Sequence, residues 1–575
     1  MVMKKTLRLA TAVLLAGVTL GAARTAHGAS PHQTRSTAAG TVAITDWQFP
    51  DGCGPGGGTV VDEEVCIAML EGGISPQPLF SVDNHAYYVP DFAESLPTVA
   101  NGGAKVVGGN LVVTYKLRPN LRWSDGVALT PNDFIFGTKL EIAAGNTFGV
   151  DQITTYKALN STTLQVTYKG TYAPYYSIGQ PYCLPQHYLT KKYGTSDITA
   201  MAAKFGNDLY NSPSDVWDGP YKLQSFTTGQ SVVMVPNPYY AGPPSAHPRL
   251  AQLRFVNISA DESGLAAALG SSRAGVDTAE DFQYTDVPVL RKSSYHITVQ
   301  PSLEYEFLEL NVSGALADQR VRQALNDAVN KAAYFQAMFP AISTSQVNSY
   351  LLRSPVPNTS PWADKSLPVN QYDPSKAKRL LAAAGYATSY YSSGKHLTLR
   401  FYSTSAPIRE KSYGILSRYW ASVGIHMVAE FPKGGGNGGL FSPYNLNGIL
   451  AQRRFDVAQF AYSVAPDPQT LEENFNPSLI PTPAKHGNTD LNYMGVTDQQ
   501  QFNLLVQART AIDTSQRHTI FDQWQRLESQ QVYWIMLFNR ANITATNGTI
   551  GNYAPNPTSQ GNEWNSWEWY KTGAL

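Results

Sequence analysis

Charged residues and cysteines are both scarce in this 575-residue chain. Asp, Glu, Lys and Arg make up 15% of it, and 43 basic residues balance 43 acidic ones. A chain without net charge has no long-range field to attract nucleic acid or an anionic membrane, so nucleic-acid binding is disfavoured. The three cysteines, Cys53, Cys66 and Cys183, have neither CxxC spacing nor clustered histidines beside them, which argues against a metal site.

Recognisable catalytic motifs are also missing. The chain contains no G-x-x-x-x-G-K-[ST], no H-E-x-x-H and no G-x-S-x-G sequence. Glu304 and Glu306 share one face of a predicted strand, but a glycosidase needs two carboxyls about 5–10 Å apart across a cleft. We interpret this pair as a solvated strand face. The sequence therefore predicts no enzyme and no cofactor, and a secreted hydrolase acting on peptides or glycans is kept as the alternative function.

Long apolar runs are absent except near the N-terminus. A basic start at residues 4–8 precedes an apolar core at 9–23 and a small-x-small sequence that ends at Gly28, the order typical of a secretory signal peptide. The core is too short to span a bilayer, and no cysteine follows it to carry a lipid. We predict a signal peptide at 1–28, a disordered start at 29–40, and a periplasmic or extracellular protein without a second membrane segment.

Export places the cysteines in an oxidising compartment, where disulfides form. Cys53 and Cys66 enclose the Gly-rich segment CGPGGGTVVDEEVC, and this short closure predicts a disulfide between them. Cys183 is then expected to be free and buried. The sequence leaves open a pairing of Cys183 with either of the others.

Strand and helix signals alternate along the rest of the chain. Asp125-Gly126 is a turn signal after a strand-like run, and Thr130 can cap the helix that Pro131 opens. Apolar residues recur with a 3.6-residue period between 318 and 339, which predicts one helix there. Together these signals predict mixed α/β lobes without internal repeats.

Six segments resemble, in order, those of family 5 extracytoplasmic solute-binding proteins, the peptide- and oligosaccharide-binding subunits of ABC importers. The segments are YKLRPNLRWSDGVALTPNDFIFG, DGPYKLQSFTTGQSVVMVPNPYY, ELNVSGALADQRVRQALNDAVNK, YDPSKAKRLLAAAGY, RFDVAQFAYSVAPDPQTLEENF and RHTIFDQWQRLESQQVYWIMLF. The resemblance covers nearly the whole mature chain. It implies an α/β, two-lobed periplasmic-binding-protein fold (type II, in its large three-subdomain form) with a hinge and an interlobe cleft that closes over the ligand.

The resemblance also implies how the chain is divided and what it does. Lobe 1 is expected to be discontinuous and to comprise 41–70, 212–300 and 541–575. A subdomain at 71–211 is inserted into it, and lobe 2 is expected to be continuous at 301–540. The implied function is delivery of a peptide-like or other oligomeric solute to the membrane permease of an ABC importer with separate ATPase subunits. The binding protein itself is expected to be a monomer.

Ligand contacts are implied at one loop. Peptide-binding members hold the free amino group of the ligand with an Asp three residues before an Asp-Pro dipeptide. Here the dipeptide is Asp467-Pro468, and Val464 occupies the earlier position. Because an unpaired buried ammonium costs several kcal/mol, we predict a neutral, blocked or sugar-like solute. Tyr462 is expected either to flank the ligand or to pack in the core, and Asp467 or Glu472 could supply a substitute carboxylate.

Overall fold

The computed structural model divides the chain into two compact units. Among the described residues, unit 1 contains Pro301–Arg509 and Ser515–Ala541; unit 2 contains those from 40 to 300, Thr510–Thr514 and those from Asn542 on. The predicted signal peptide at 1–28, nearly all of the segment 29–40 and Cys66 lie outside the described residues. Those residues are 40–46, 49, 53, 79–147, 149–206, 208, 212–242, 247–259, 261–271, 274–369, 371–484, 490–558 and 560–572.

Strands and helices alternate through both units. The strands are β1 (Thr41–Thr45), β2 (Phe80–Val82), β3 (Tyr88–Pro90), β4 (Ala104–Val107), β5 (Asn110–Lys116), β6 (Ile153–Asn160), β7 (Thr163–Tyr168), β8 (Tyr221–Thr227), β9 (Ser231–Pro236), β10 (Gln252–Val256), β11 (Thr278–Ala279), β12 (His296–Leu310), β13 (Leu397–Ser403), β14 (Ile425–Glu430), β15 (Val457–Ser463), β16 (Trp534–Thr546), β17 (Ile550–Gly551) and β18 (Tyr570–Lys571).

The helices are mostly short. They are α1 (Pro131–Ala144), α2 (Gln186–Tyr193), α3 (Ile198–Phe205), α4 (Glu262–Gly270), α5 (Val287–Leu290), α6 (Gln319–Asp327), α7 (Lys331–Met338), α8 (Val347–Tyr350), α9 (Pro374–Ala383), α10 (Pro407–Ser422), α11 (Glu472–Phe475), α12 (Gln499–Thr510) and α13 (Thr514–Gln531). None of the helices in the described ranges combines the length and the apolarity that crossing a membrane requires.

Unit 2 contains a mixed sheet in the order β11-β1-β10-β9-β8. β1 lies between two parallel neighbours, β10 and β11, and the last part of β16 pairs with β11. Val42 and Ile44 of β1 pack with Leu253 and Phe255 of β10 in one buried cluster. Central parallel strands are apolar because elements cover both of their faces.

The last part of the chain completes unit 2. Val82 is bonded at both its backbone groups by residues near the C-terminus: its N–H donates to Gln560 Oε1 (3.2 Å), and its carbonyl accepts from Asn556 Nδ2 (3.0 Å). Tyr221 donates its hydroxyl to the carbonyl of Ser566 (3.3 Å), and Trp569 is fully buried in the cluster around β1. The C-terminal residues therefore contact both the segment around Val82 and the buried cluster around β1.

A second, antiparallel sheet of unit 2 has the order β4-β5-β7-β6. The Asp125-Gly126 turn and the helix start that the sequence predicts lie beside it and are confirmed. Gly126 has φ +88° and donates to Trp123 O (2.8 Å), and α1 begins with a capping box in which Thr130 N–H donates to Asp133 (2.8 Å). Such reciprocal bonds satisfy amide groups that a helix start leaves unpaired.

Unit 1 is built on a sheet of order β14-β13-β15-β12-β16. β13 runs parallel to β14 and β15, whereas β12 runs antiparallel to β15. The chain passes from helix to strand at Gly424, because α10 ends at Ser422 and β14 begins at Ile425. Gly424 has φ +92°, and a Cβ there would lie 2.6 Å from the backbone of Thr388, so only glycine fits.

The single helix predicted between 318 and 339 is wrong. The segment forms two helices, α6 and α7, because Asn330 leaves helical geometry and caps the second. Its side chain accepts from Ala333 N–H (3.0 Å), and asparagine is among the strongest N-caps. The apolar period continues across the break, which is why periodicity alone does not detect it.

Cysteine chemistry provides a first testable expectation. Cys183 is a free thiol, as predicted, and is 4% exposed, while Cys53 is fully buried; its predicted disulfide to Cys66 stays a prediction. Burial raises the pKa of the Cys183 thiol, with smaller contributions from Asp218 and Asp133, so little reactive thiolate forms. We expect iodoacetamide to label Cys183 only after unfolding. Labelling in the native state, measured by peptide mass spectrometry, would contradict the buried position.

Candidate ligand-binding site

Tyr462 lies near the end of β15, directly opposite Tyr305 of β12. The two rings are 6.3 Å apart, and Tyr462 donates its hydroxyl to Asn474 Oδ1 (3.1 Å). Burial raises the pKa of Tyr462, with a smaller contribution from Glu473, so the hydroxyl stays a donor at neutral pH. The ring is half-buried, which leaves part of it available to a ligand.

An aromatic cluster surrounds Tyr462 on this face of the sheet. Phe307 is central: its ring lies 4.7 Å from Phe460, 4.7 Å from Trp534 and 6.3 Å from Tyr462. Several of these pairs meet edge to face, which suits the quadrupoles of aromatic rings. We name this the Tyr462 cluster; its members are Tyr305, Phe307, Phe460, Tyr462, Phe475 and Trp534.

Val464 continues the chain from β15 as a buried residue, 2% exposed. Its N–H donates to the carbonyl of Leu303 at 3.4 Å, at the edge of hydrogen-bond range. The position that carries a carboxylate in peptide-binding members is therefore apolar and enclosed here. It offers nothing to balance an ammonium group.

Asp467 is fully buried and engaged by Arg517. Two guanidinium nitrogens, Nη1 and Nη2, each donate to a separate carboxylate oxygen at 2.7 Å. Asp467 Oδ1 also accepts from Gln469 N–H (3.0 Å), which caps the short 3₁₀ helix Pro468–Leu471. Both oxygens of Asp467 hold the loop in place in this arrangement.

Arg517 is itself enclosed by aromatic rings. Its guanidinium carbon lies 4.9 Å from the ring centre of Trp362 and 5.1 Å from that of Phe521. Its Nε donates to the carbonyl of Ala508 (3.0 Å). The bidentate geometry and the stacking are both properties of arginine that lysine lacks.

Glu472, the second substitute carboxylate, is also engaged. It is 7% exposed, and Arg509 Nη1 and Gln469 Nε2 donate to its two oxygens at 2.5 and 2.7 Å. Burial raises the pKa of Glu472 more than Arg509 lowers it. Neither Asp467 nor Glu472 is left uncommitted for an ammonium group of a ligand.

The solvated strand face predicted for Glu304 and Glu306 is wrong for Glu306, which is 3% exposed. Glu306 Oε1 accepts from Arg409 Nη2 (3.1 Å) and Arg540 Nη2 (2.7 Å), while Gln459 Nε2 donates to Oε2 (3.2 Å). Glu304 also contacts Arg540, at 2.9 Å. The partners lie far away in sequence, so the alternation of β12 gives no signal for this network.

In this Glu306 network, two carboxylates balance two guanidinium groups. The members are Glu304, Glu306, Arg409, Gln459 and Arg540. Burial raises the pKa of Glu306, but Arg409 and Arg540 outweigh it and lower the value to about 2. Glu306 is thus charged throughout the physiological range. The network and the Tyr462 cluster lie on opposite faces of β12, because their residues alternate along the strand.

The model of the bacterial extracellular solute-binding proteins, family 5 Middle, matches residues 88–478, which is well over half of the chain. The chain belongs to this family. The matched range includes the Tyr462 cluster up to Phe475 and the loop with Val464 and Asp467.

Relatives of this chain are named as binding proteins. The nickel-binding periplasmic protein of Escherichia coli (strain K12) is 29% identical over 247 residues, 41% of this chain and 42% of the relative. The glutathione-binding protein GsiB of Escherichia coli O1:K1 / APEC is 26% identical over 334 residues, 56% of this chain and 59% of the relative. The chain thus spans about half the length of these relatives in the match.

Solved structures share the fold across almost the whole chain. The periplasmic EDTA-binding protein EppA has a TM-score of 0.72 at 21% identity, covering 93% of this chain and 96% of that one. The oligopeptide-binding protein AppA from Bacillus subtilis, in complex with a nonapeptide, has a TM-score of 0.66 at 18% identity, covering 93% and 100%. The predicted α/β periplasmic-binding-protein fold is confirmed.

One of the relatives is named for nickel, a metal that proteins commonly bind through histidine. Within the described ranges, no three His, Cys, Asp or Glu side chains come together in a way that could hold a metal ion.

Proposed function

We propose that this protein captures a peptide-like or other oligomeric solute outside the cytoplasm and delivers it to the permease of an ABC importer. The observation that carries the proposal is the family match over residues 88–478. The relatives and structural neighbours named above are binding proteins, and none of them supports the hydrolase alternative. A signal peptide at 1–28 and a location in the periplasm or outside the cell belong to the same proposal.

The proposal assigns the ligand contacts to two lobes that close around the solute. Lobe 2 is 301–540, and lobe 1 comprises 41–70, 212–300 and 541–575 with the inserted subdomain 71–211. On lobe 2, the half-buried ring of Tyr462 supplies an apolar contact surface beside the buried Val464. Closure follows when contacts on both lobes favour the closed state.

The solute is not selected by a free N-terminal amine. Val464 offers no charge, and the two nearby carboxylates are already paired with Arg517 and Arg509. Releasing Asp467 to a ligand would leave the buried guanidinium of Arg517 without its partner, which costs several kcal/mol. A neutral, blocked or sugar-like solute avoids this cost.

Mass spectrometry tests the function most directly. The protein should be secreted, purified without refolding and denatured, and the released small molecules identified. We expect a co-purified peptide-like or sugar-like solute at close to one equivalent, which the purified protein rebinds. Catalytic turnover of that solute by the protein would instead favour the hydrolase.

A second measurement tests the prediction about the amine. Calorimetry should compare one peptide with a free and with an acetylated N-terminus. We expect the two affinities to agree within tenfold, about 1.4 kcal/mol. If the free peptide binds at least tenfold tighter, another carboxylate holds the amine and the role assigned to Val464 is wrong.

Variants of Tyr462 locate the site. We expect Tyr462→Ala to weaken binding of the co-purified solute by at least tenfold, because a large aromatic contact is lost. Tyr391→Ala is the matched control, since Tyr391 is 94% exposed, and it should bind normally. Equal affinities for both variants, each with a normal circular dichroism spectrum, would place the ligand elsewhere.

A further inference from the structure

An open pocket of about 310 Å³ lies in unit 1, away from the Tyr462 cluster. It is formed where β12 ends and where the chain approaches β15. This volume is at the lower end of the range for small-molecule sites, roughly 300–1,000 Å³. The lining residues are Asn311, Ser313, Tyr444, Ala451, Gln452, Arg453 and Pro481.

Arg453 is held rigidly in the wall of this pocket. Its Nε donates to Tyr493 O (3.0 Å), and its Nη2 donates to Asn311 Oδ1 (2.6 Å) and Met494 O (3.0 Å). Asn311 in turn donates to the carbonyls of Arg453 (2.9 Å) and Phe455 (2.8 Å). The Arg453 backbone has φ +53°, an uncommon conformation for a non-glycine residue that this set of bonds stabilises.

Close packing also fixes the guanidinium plane. Gly495 has φ +70°, and a Cβ at this position would lie 2.0 Å from Arg453 Nη2. The glycine thus allows the backbone to lie against the guanidinium. A side chain held in this way loses little conformational entropy when a ligand binds, which favours affinity.

One nitrogen of the Arg453 guanidinium, Nη1, is available to a ligand. The fixed bonds use Nε and Nη2, whereas Nη1 has no hydrogen-bond partner among the residues that the structure describes. Tyr444 and Ser313 bring hydroxyl groups to the same pocket, and neither hydroxyl has a partner in the described ranges. The pocket therefore presents a charged donor and two neutral donors.

Within the described part of the chain, Arg453 also lacks a directly bonded carboxylate and forms no ion pair. The nearby Glu309 is 1% exposed, and its Oε1 lacks a hydrogen-bond partner among the described residues. Burial raises the pKa of Glu309 well above its usual value, more than the N–H of Met494 and the charge of Arg453 lower it, so burial favours the neutral form of this carboxyl. A half-buried cation without a carboxylate in direct contact favours an anion.

We propose that this pocket is a second ligand site of the protein and binds a small oxyanion, a carboxylate or a phosphate, at Arg453 Nη1. Guanidinium groups bind both kinds of oxyanion through charge-assisted hydrogen bonds. The site is separate from Tyr462: the paired stretch of β12 from Glu304 to Leu310 separates the two by about 20 Å at the usual strand rise.

Equilibrium binding with defined anions tests the proposal. Full-length secreted protein should be titrated by calorimetry with succinate and with inorganic phosphate, using glycerol as the neutral control. Saturable binding of succinate alone identifies a carboxylate site, binding of phosphate alone a phosphate site, and binding of both a general oxyanion site. Each of these results supports the proposal if the variants below abolish it, and glycerol should not bind.

Two variants and one control locate the binding. Arg453→Gln removes the charged donor, and Ser313→Phe fills the pocket mouth while keeping Arg453; the hydroxyl of Ser313 caps no helix. We expect at least a tenfold loss of anion affinity in both. Arg454→Gln removes the same charge from the exposed neighbouring residue and should bind the anion normally.

Two outcomes would contradict the anion site. The proposal is overturned if neither anion binds, or if Ser313→Phe binds as tightly as the wild type. Ser313→Phe decides the question even if Arg453→Gln does not fold. Binding of the co-purified solute at the Tyr462 site should be unchanged in Ser313→Phe, so failure of this proposal is distinguishable from failure of the importer function.

Discussion

Replacing Arg517 with methionine is expected to lower the free energy of unfolding by about 3–5 kcal/mol, the usual cost of breaking a buried ion pair on one side. The carboxylate of Asp467 would stay fully buried without either of the guanidinium bonds that now measure 2.7 Å. Methionine keeps much of the apolar contact with Trp362 and Phe521, so the loss reports mainly the charge. Urea unfolding followed by circular dichroism measures it.

An exposed pair provides the control for this measurement. Arg400 contacts Asp456 at 3.2 Å, but the Arg400 side chain is 49% exposed. We expect Arg400→Met to cost at most about 1 kcal/mol, as for other surface pairs. Equal losses in the two variants would show that burial does not set the strength of the Arg517 pair. The double variant Asp467→Asn with Arg517→Met should recover part of the loss, because no buried charge remains.

Acid stability should depend strongly on Glu306. Its pKa falls from 4.5 to about 2 in the folded protein, because Arg409 and Arg540 outweigh the effect of burial. A shift of about 2.5 units corresponds to roughly 3 kcal/mol. Because the folded pKa is depressed, this stabilisation is complete above about pH 4.5 and is lost as the pH falls through about 2.

Glu306→Gln removes that contribution. We expect the variant to be about 3 kcal/mol less stable than the wild type at pH 7, and the difference to shrink between pH 4.5 and pH 2. Glu304→Gln is the control: Glu304 is 32% exposed, and its loss should cost at most about 1 kcal/mol at any pH. A constant gap between Glu306→Gln and the wild type down to pH 2 would contradict the depressed pKa.

Local signals in the sequence predicted local structure well. The Asp125-Gly126 turn forms and Thr130 caps α1, both as expected. These features depend on residues within a few positions of one another, so a short stretch of sequence contains all the interacting groups. The resemblance to family 5 supplied the fold class for the same reason, because it consists of six short segments that each match the family and occur in the same order.

The site was predictable only in part. Tyr462 and Val464 could be proposed as site residues because they lie in a family segment, but the ion pair between Asp467 and Arg517 joins residues 50 positions apart. Arg409 and Arg540 reach Glu306 from 103 and 234 positions away. No periodicity or turn signal encodes such pairings, since tertiary contacts create them. The pocket at Arg453 was missed for the same reason.

The closing of the unit 2 core by the C-terminus has a consequence for biogenesis. A ribosome releases the chain from its N-terminus at about 5–20 residues per second, so Val82 emerges long before Asn556 and Gln560, which satisfy its backbone groups. Trp569 joins the β1 core only after the whole 301–541 stretch has been synthesised. Unit 2 therefore cannot reach its final fold during translation. For the export proposed above, such late completion would keep unit 2 unfolded while the chain passes through the export channel.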